Sequence, residues 1–182
     1  MTHPQSSRLR SQHGLTLVES LCGLAVASVA LGLAIPGLDA LRQRMELHGV
    51  SAQVETDLQF ARSESVSRNR TVRMTLRESS GGTCYLVHTG PAAACSCGIA
   101  SGASCGANGE VLRWFSTPAD GRVRIRSAVK TMTFDPVKRT VTPTATLRVE
   151  SADGRALHQV VNLFGRVRTC SPGGKLPTER TC

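Results

Sequence analysis

This 182-residue sequence predicts an α+β fold, with one long N-terminal helix laid on an antiparallel β domain whose loops are crosslinked by disulfides. Three observations predict it. An apolar run from Leu15 to Leu38 is interrupted only by Thr16, Glu19, Ser20 and Ser28 among strongly polar residues. A second run then repeats apolar residues at steps of three and four. After Thr71 the period changes to two, and six cysteines accompany the new pattern.

Residues 1–14 are polar and basic, with Arg8 and Arg10 and no apolar periodicity, and read as a leader. The run over 15–38, about 24 residues, is long enough to span a bilayer as a helix. It is too long for the apolar core of a cleavable secretory signal. The two arginines ahead of it predict a single-pass membrane protein with a cytoplasmic N-terminus and the remainder exported. Pro36 and Gly37 predict a kink rather than a stop, because helical patterning resumes at once.

Over 39–69, Leu47, Val50, Val54, Leu58 and Ala61 form one stripe, with Arg44, Glu46, Glu55, Asp57, Arg62 and Glu64 between them. This is an amphipathic helix that lays one face on the domain behind it, ending near Arg68 and Asn69. The β domain is expected over 70–169. Its first strand alternates Val72, Met74 and Leu76 with Arg73, Thr75 and Arg77. Further strands are predicted at 84–88, 111–116, 122–126, 131–134, 145–150 and 157–165. "SSGG", "PADG" and "SADG" mark turns. Residues 89–109, rich in Gly, Ala, Ser and Cys, read as a loop that needs its disulfides for order.

Cys22 lies in the apolar run and reads as a small hydrophobe. Cys84, Cys95, Cys97, Cys105, Cys170 and Cys182 form an even set that fits disulfides in an oxidising compartment. Cys170 with Cys182 is the expected pair, closing a basic loop over 170–182; the pairing of the other four stays open. Zinc held by Cys84, His88, Cys95, Cys97 and Cys105 is the rival reading, disfavoured by the C-x-C step and uneven gaps. No metal or other cofactor is expected.

An ionised acid in a bilayer costs roughly 2.5–3.5 kcal/mol on insertion scales, so Glu19 near the start of an apolar run calls for a partner. "HGLTLVES" resembles the type III signal of type IV pilins and pseudopilins: a short basic leader ending in Gly14, an apolar residue, Leu15, at the new N-terminus, and a glutamate, Glu19, five residues after the cut. Leu15 stands where the family usually has Phe. The resemblance implies cleavage after Gly14 and methylation of the new amine by a prepilin peptidase, and it gives Pro36 the place of the proline that kinks pilin helices. Glu19 would neutralise the Leu15 amine of a neighbouring subunit as subunits stack.

"DLQFARSESVSRNRTVRMTL" and "FDPVKRTVTPTATLRVESADGRALHQVVNLFGRVR" narrow the resemblance to the GspH/FimT family of minor pseudopilins, over nearly all of 13–168. The fold implied is type IV pilin-like, with the helix packed on two small antiparallel sheets. The implied partners are other major and minor pilins, first in the inner membrane and then in a periplasmic or cell-surface pilus. GspH-type members belong to the tip of a secretion pseudopilus, and FimT-type members to type IV pili, some binding DNA in natural transformation.

Composition sharpens that choice. The chain has 22 basic and 13 acidic residues, net +9, and the 12 basic and 4 acidic residues from Arg122 onward supply +8 of it. Such asymmetry suggests a polyanionic partner. "GRVRTCSPGGKLPTERTC" resembles the C-terminal GRxR region of DNA-binding FimT proteins, with Gly165, Arg166 and Arg168 at the matching positions. On an extended segment residues two apart point the same way, about 7 Å from one another, near the phosphate spacing of an extended strand. Lys175 and Arg180 add charge on the crosslinked loop, whose bridge lowers the ordering cost of binding. Arg122, Arg124 and Arg126 share the spacing and read as a solvated face.

Aromatic residues are 3% of the chain and none follows Phe164, so base stacking has little support. Binding is expected to be directed to the DNA backbone, with about 4 phosphates neutralised and a log–log salt slope near −3.6. The alternative is a structural minor pseudopilin of a secretion or pilus tip, with no DNA role. An enzyme is not expected: "GASCG", Gly102–Gly106, matches G-x-S-x-G but lies in the cysteine-rich loop, not at a strand-to-helix turn. The five histidines are dispersed.

Overall fold

The computed structural model describes residues 16–182 except Lys175 and Pro177, and not the side chains of residues 33–36. The expected leader, the cut after Gly14, the new N-terminus at Leu15 and the cation Lys175 lie outside the described residues. The chain divides into two compact units, residues 1–40 and 41–182. One helix, α1 (Leu17–Ser67), runs through Pro36 and contributes to both units.

In the first unit Thr16 opens α1, its Oγ1 accepting the Glu19 N–H at 3.2 Å. Thr16 and Glu19 thus have the spacing of a capping box, and a carboxylate in the first turn favours the helix dipole. Glu19 therefore has a helix-starting role that its spacing from Thr16 already encoded. An 18-residue window of α1 reaches a mean hydropathy of 2.1, long and apolar enough to cross a membrane. Cys22 is a free, exposed thiol there.

In the second unit the helical stripe is buried as its spacing requires: Leu47, Val54, Leu58 and Ala61 are fully buried, and Val50 packs half-buried beside them. The helix closes at Asn69, whose left-handed backbone (φ 48°) is a common C-terminal stop. Eleven strands follow among the described residues. β1 (Val72–Ser79), β2 (Gly82–Thr89), β5 (Glu110–Pro118), β7 (Thr131–Asp135) and β8 (Thr140–Thr142) form one sheet, in the order β5-β2-β1-β7-β8. β6 (Val123–Ser127), β9 (Ala145–Ser151), β10 (Ala156–Val161) and β11 (Val167–Cys170) form the other, in the order β11-β10-β9-β6. All named pairings are antiparallel. Inward residues of both sheets, such as Val72, Tyr85, Ile125, Val149 and Leu157, join the helical stripe in one core.

The pattern of polar and apolar residues misplaces Asp57, which is expected among the solvated residues of α1. It is 1% exposed. Its carboxylate accepts the Tyr85 hydroxyl at 2.7 Å, the Gln53 amide at 3.0 Å and Arg113 Nη1 at 3.0 Å. Arg113 also stacks 3.9 Å over the Phe60 ring. A buried carboxylate needs such partners, and this one ties the helix to β2 and β5. Burial, then the bond to Asp57, pushes the Tyr85 hydroxyl far above its usual range.

The segment expected as a loop over 89–109 contains a hairpin, β3 (Cys95–Gly98) paired with β4 (Gly102–Cys105). Two disulfides make it. Cys95–Cys105 joins directly opposed residues, and Cys84–Cys97 fastens the hairpin to β2. β2 is buried along nearly its whole length, and its outward Leu86 and His88 are fully covered. The small residues that suggested a disulfide-ordered loop let the hairpin pack closely against that face. Two more corrections concern strands. β8 escaped notice because three residues give no readable period, and the strand expected over 157–165 stops at Val161, where a turn begins.

Candidate nucleic-acid interface

The basic C-terminal region is built on the β10–β11 hairpin. Asn162 organises its turn: Oδ1 accepts the N–H groups of Phe164 at 3.1 Å and Arg166 at 2.8 Å, and the Gly165 N–H donates to its carbonyl at 2.9 Å. Gly165 has φ +70°, and a Cβ there would stand 3.0 Å from both Arg62 Cδ and Val141 Cγ2. The residue is buried. Its part in the GRxR sequence is therefore conformational: it turns the chain so that Arg166 and Arg168 follow on the outside.

β11 is held from beneath by polar side chains. The Thr169 hydroxyl lies 2.9 Å from Glu55 Oε2 and 2.8 Å from Gln159 Oε1, two acceptors that share its proton. Fully buried Gln159 donates through Nε2 to the Ser51 hydroxyl at 2.7 Å and carbonyl at 3.2 Å. With Thr169 turned in, alternation along the strand turns Arg166 and Arg168 out, and both are exposed. The extended geometry expected of the pair is that of the last strand of the sheet, not of a tail beyond it.

The chain after β11 is anchored at several points. Cys170 and Cys182 are bonded. Leu176 is 2% exposed and joins the core. The Ser171 N–H donates to the Arg180 carbonyl at 2.8 Å, and Arg44 Nη2 to the Thr178 hydroxyl at 3.3 Å. Arg166, Arg168 and Arg180 consequently line one open groove of about 610 Å³, with Val160 and Thr169 among its walls. Among the described residues no Asp or Glu side chain lines it.

Two neighbours of this groove were not singled out by the sequence. Arg62, exposed on α1, reaches the hairpin turn at Gly165. Phe164, 65% exposed, stands at the tip of that turn. On β10, His158 lies opposite Arg148. Burial, and then that arginine, lower the His158 pKa against the pull of Glu150.

The zinc alternative fails on the chemistry of its donors. His88, Cys95 and Cys105 do cluster within 4.8 Å, but Cys95 and Cys105 are bonded to each other, as are Cys84 and Cys97. A cysteine binds zinc as its thiolate, which a disulfide sulfur is not. Both His88 nitrogens are also engaged, Nδ1 with the Thr89 carbonyl and Nε2 with the Thr75 hydroxyl, each at 3.0 Å. Since a carbonyl only accepts, Nδ1 carries the proton and Nε2 accepts from Thr75. Ser104 of "GASCG" stands on β4, with no helix after it.

Residues 51–165, well over half of the chain, match the sequence model of the family described as Type II transport protein GspH. The chain belongs to the GspH family. Its resemblance to GspH/FimT-type minor pilins and pseudopilins is thereby placed on the β domain and the amphipathic half of α1. Two solved structures are similar to this GspH-family chain, both crystal structures of the type IV minor pilin FimU of Pseudomonas aeruginosa strain PAO1. One, in space group P21, has 23% identity and a TM-score of 0.49, covering 71% of this chain and 95% of FimU. The other, in P65, has 23% identity and a TM-score of 0.46, covering 69% and 97%. No curated protein matches. The GspH match ends at Gly165, so Arg166, Arg168 and Arg180 lie just past it.

Proposed function

We propose that this GspH-family minor pilin binds DNA through its C-terminal hairpin during uptake in natural transformation. The observation that carries the reading is the groove in which Arg166, Arg168 and Arg180 converge with no Asp or Glu side chain among its described lining. Guanidinium forks suit phosphate oxygens, and a site braced by a disulfide and a core leucine loses little freedom on binding. Lys175, in the same loop of sequence, adds a fourth cation. Contacts of this kind hold the phosphate backbone and carry no sequence information.

The route to the filament is part of the proposal. Residues 1–14 are removed after Gly14 by a prepilin peptidase, 15–38 anchor the chain in the inner membrane and then in the pilus core, and Glu19 neutralises the Leu15 amine of a neighbouring pilin. The exported part is then carried from the periplasm to the cell surface. The description of the family as a type II transport protein favours a second reading, a structural pseudopilin that contacts only proteins.

The full-length protein in an uncharged detergent, titrated against labelled mixed-sequence DNA, separates the two. Binding that drops when Arg166 and Arg168 are both changed to Gln supports the DNA reading. Absence of binding by the parent protein supports the structural one.

A further inference from the structure

The four-stranded sheet carries more charge than the groove uses. Its outward face is set by register: Arg126 on β6 is opposite Arg148 on β9, which is opposite His158 on β10, which is opposite Cys170 on β11. One row along stand Thr146, Val160 and Arg168. Arg126 and Arg148 are exposed. The one carboxylate on the strands of this face is Glu150, 3.6 Å from Arg126, and an exposed pair of that kind is weak. Arg124 is turned to the Ala119 carbonyl at 2.8 Å, so Arg126 and Arg148 are the cations the face adds.

We infer that this face continues the groove and that its ligand is double-stranded DNA, a step that rests on the groove being a DNA site. Arg168 and Arg148 are two strands apart, about 10 Å across the sheet. The major groove of a duplex leaves about 12 Å of open width between its two phosphate lines, and Arg168 on β11 and Arg126 on β6, three strands or about 14 Å apart, stand on either side of such a width. A sheet with cations on its β11 edge and again on β9 and β6 therefore faces both lines at once. A single strand has one line and would use only one edge. Single strands are gripped by stacking on aromatic side chains, and the outward positions of these four strands hold no Phe, Tyr or Trp.

The test measures fluorescence anisotropy of a short labelled duplex, and of one of its strands, against the full-length protein in an uncharged detergent. Changing Arg126→Gln with Arg148→Gln should weaken duplex binding about ten-fold near 0.1 M salt and flatten the log–log salt slope by about 1.8. Thr146→Glu, which puts a negative charge on the same face and removes no ion pair, should act in the same direction. Arg77→Gln with Lys130→Gln removes as much charge outside this sheet and should change affinity less than two-fold, roughly. Equal losses from both arginine and control pairs, or a single strand bound as tightly as the duplex, would overturn the inference. If the Arg166 and Arg168 change weakens binding while the Arg126 and Arg148 change does not, the groove stands and its extension fails. A parent protein that binds neither probe removes both.

Discussion

The two sheets share one core and treat their outer faces in opposite ways. β2, in the five-stranded sheet, is buried on both sides because a disulfide-pinned hairpin covers what the helix does not. β9, in the four-stranded sheet, alternates buried and open positions, with Arg148 at its open centre. The closed sheet spends its polar groups on structure: Tyr85 and Arg113 hold Asp57 of α1, and His88 pairs with Thr75. The open sheet turns Gln159 and Thr169 inward toward α1 but keeps its charged residues for the outside, and they are mostly arginines. An exposed cation without an internal partner is free to meet an external anion, so function is expected on the open sheet and stability in the closed one.

Substitutions should divide along that line. The largest effect is expected for Asp57→Ala, which leaves Arg113 and the Tyr85 hydroxyl without their acceptor. Loss of about 3 kcal/mol, the low end for a broken buried pair since Arg113 is partly exposed, should appear in chemical unfolding. Replacing Cys84 and Cys97 by Ala frees the hairpin from β2 and should cost about 2–3 kcal/mol, with DNA affinity unchanged while the protein is folded. Gly165→Ala forces a side chain into a left-handed turn against Arg62 and Val141, at about 1–2 kcal/mol by thermal unfolding. It should also weaken DNA binding, because the turn aims both arginines. Equal indifference of stability and binding would separate Gly165 from the site.

The smallest effect is a pH dependence. Burial, with a further push from Arg73 and against the Thr89 carbonyl, lowers the His88 pKa below its usual 6.5. The unfolded chain then takes up a proton that the folded one resists, so His88 contributes stability above about pH 6.5 that is lost as pH falls toward its folded pKa. Unfolding midpoints measured from neutral to mildly acid pH should decline, and His88→Gln should remove part of the slope. An unchanged slope would place the proton uptake elsewhere.

Much of this division was legible in the sequence. The stripe from Leu47 to Ala61 and the alternation from Val72 to Leu76 are periodic signals strong enough to fix which faces are buried. The six-cysteine set pointed to crosslinks. Three features were not legible, for physical reasons. Asp57 looks like any solvated acid until Tyr85 and Arg113, distant in sequence, are brought to it. The β3–β4 hairpin is specified by two disulfides rather than by hydrophobic period, so its small residues resemble a loop. The common face of Arg126, Arg148 and Arg168 depends on strand order and register, which R-x-R spacing alone does not carry.

The central claim is that the C-terminal arginines bind DNA phosphates, and its most direct measure is the salt dependence of affinity. Titration of the full-length protein with a mixed-sequence duplex between about 50 and 200 mM salt should give a log–log slope at least as steep as about −3.6, flattened by about 1.8 when Arg166 and Arg168 become Gln. A flat slope, or one that is the same with and without those two arginines, would contradict it.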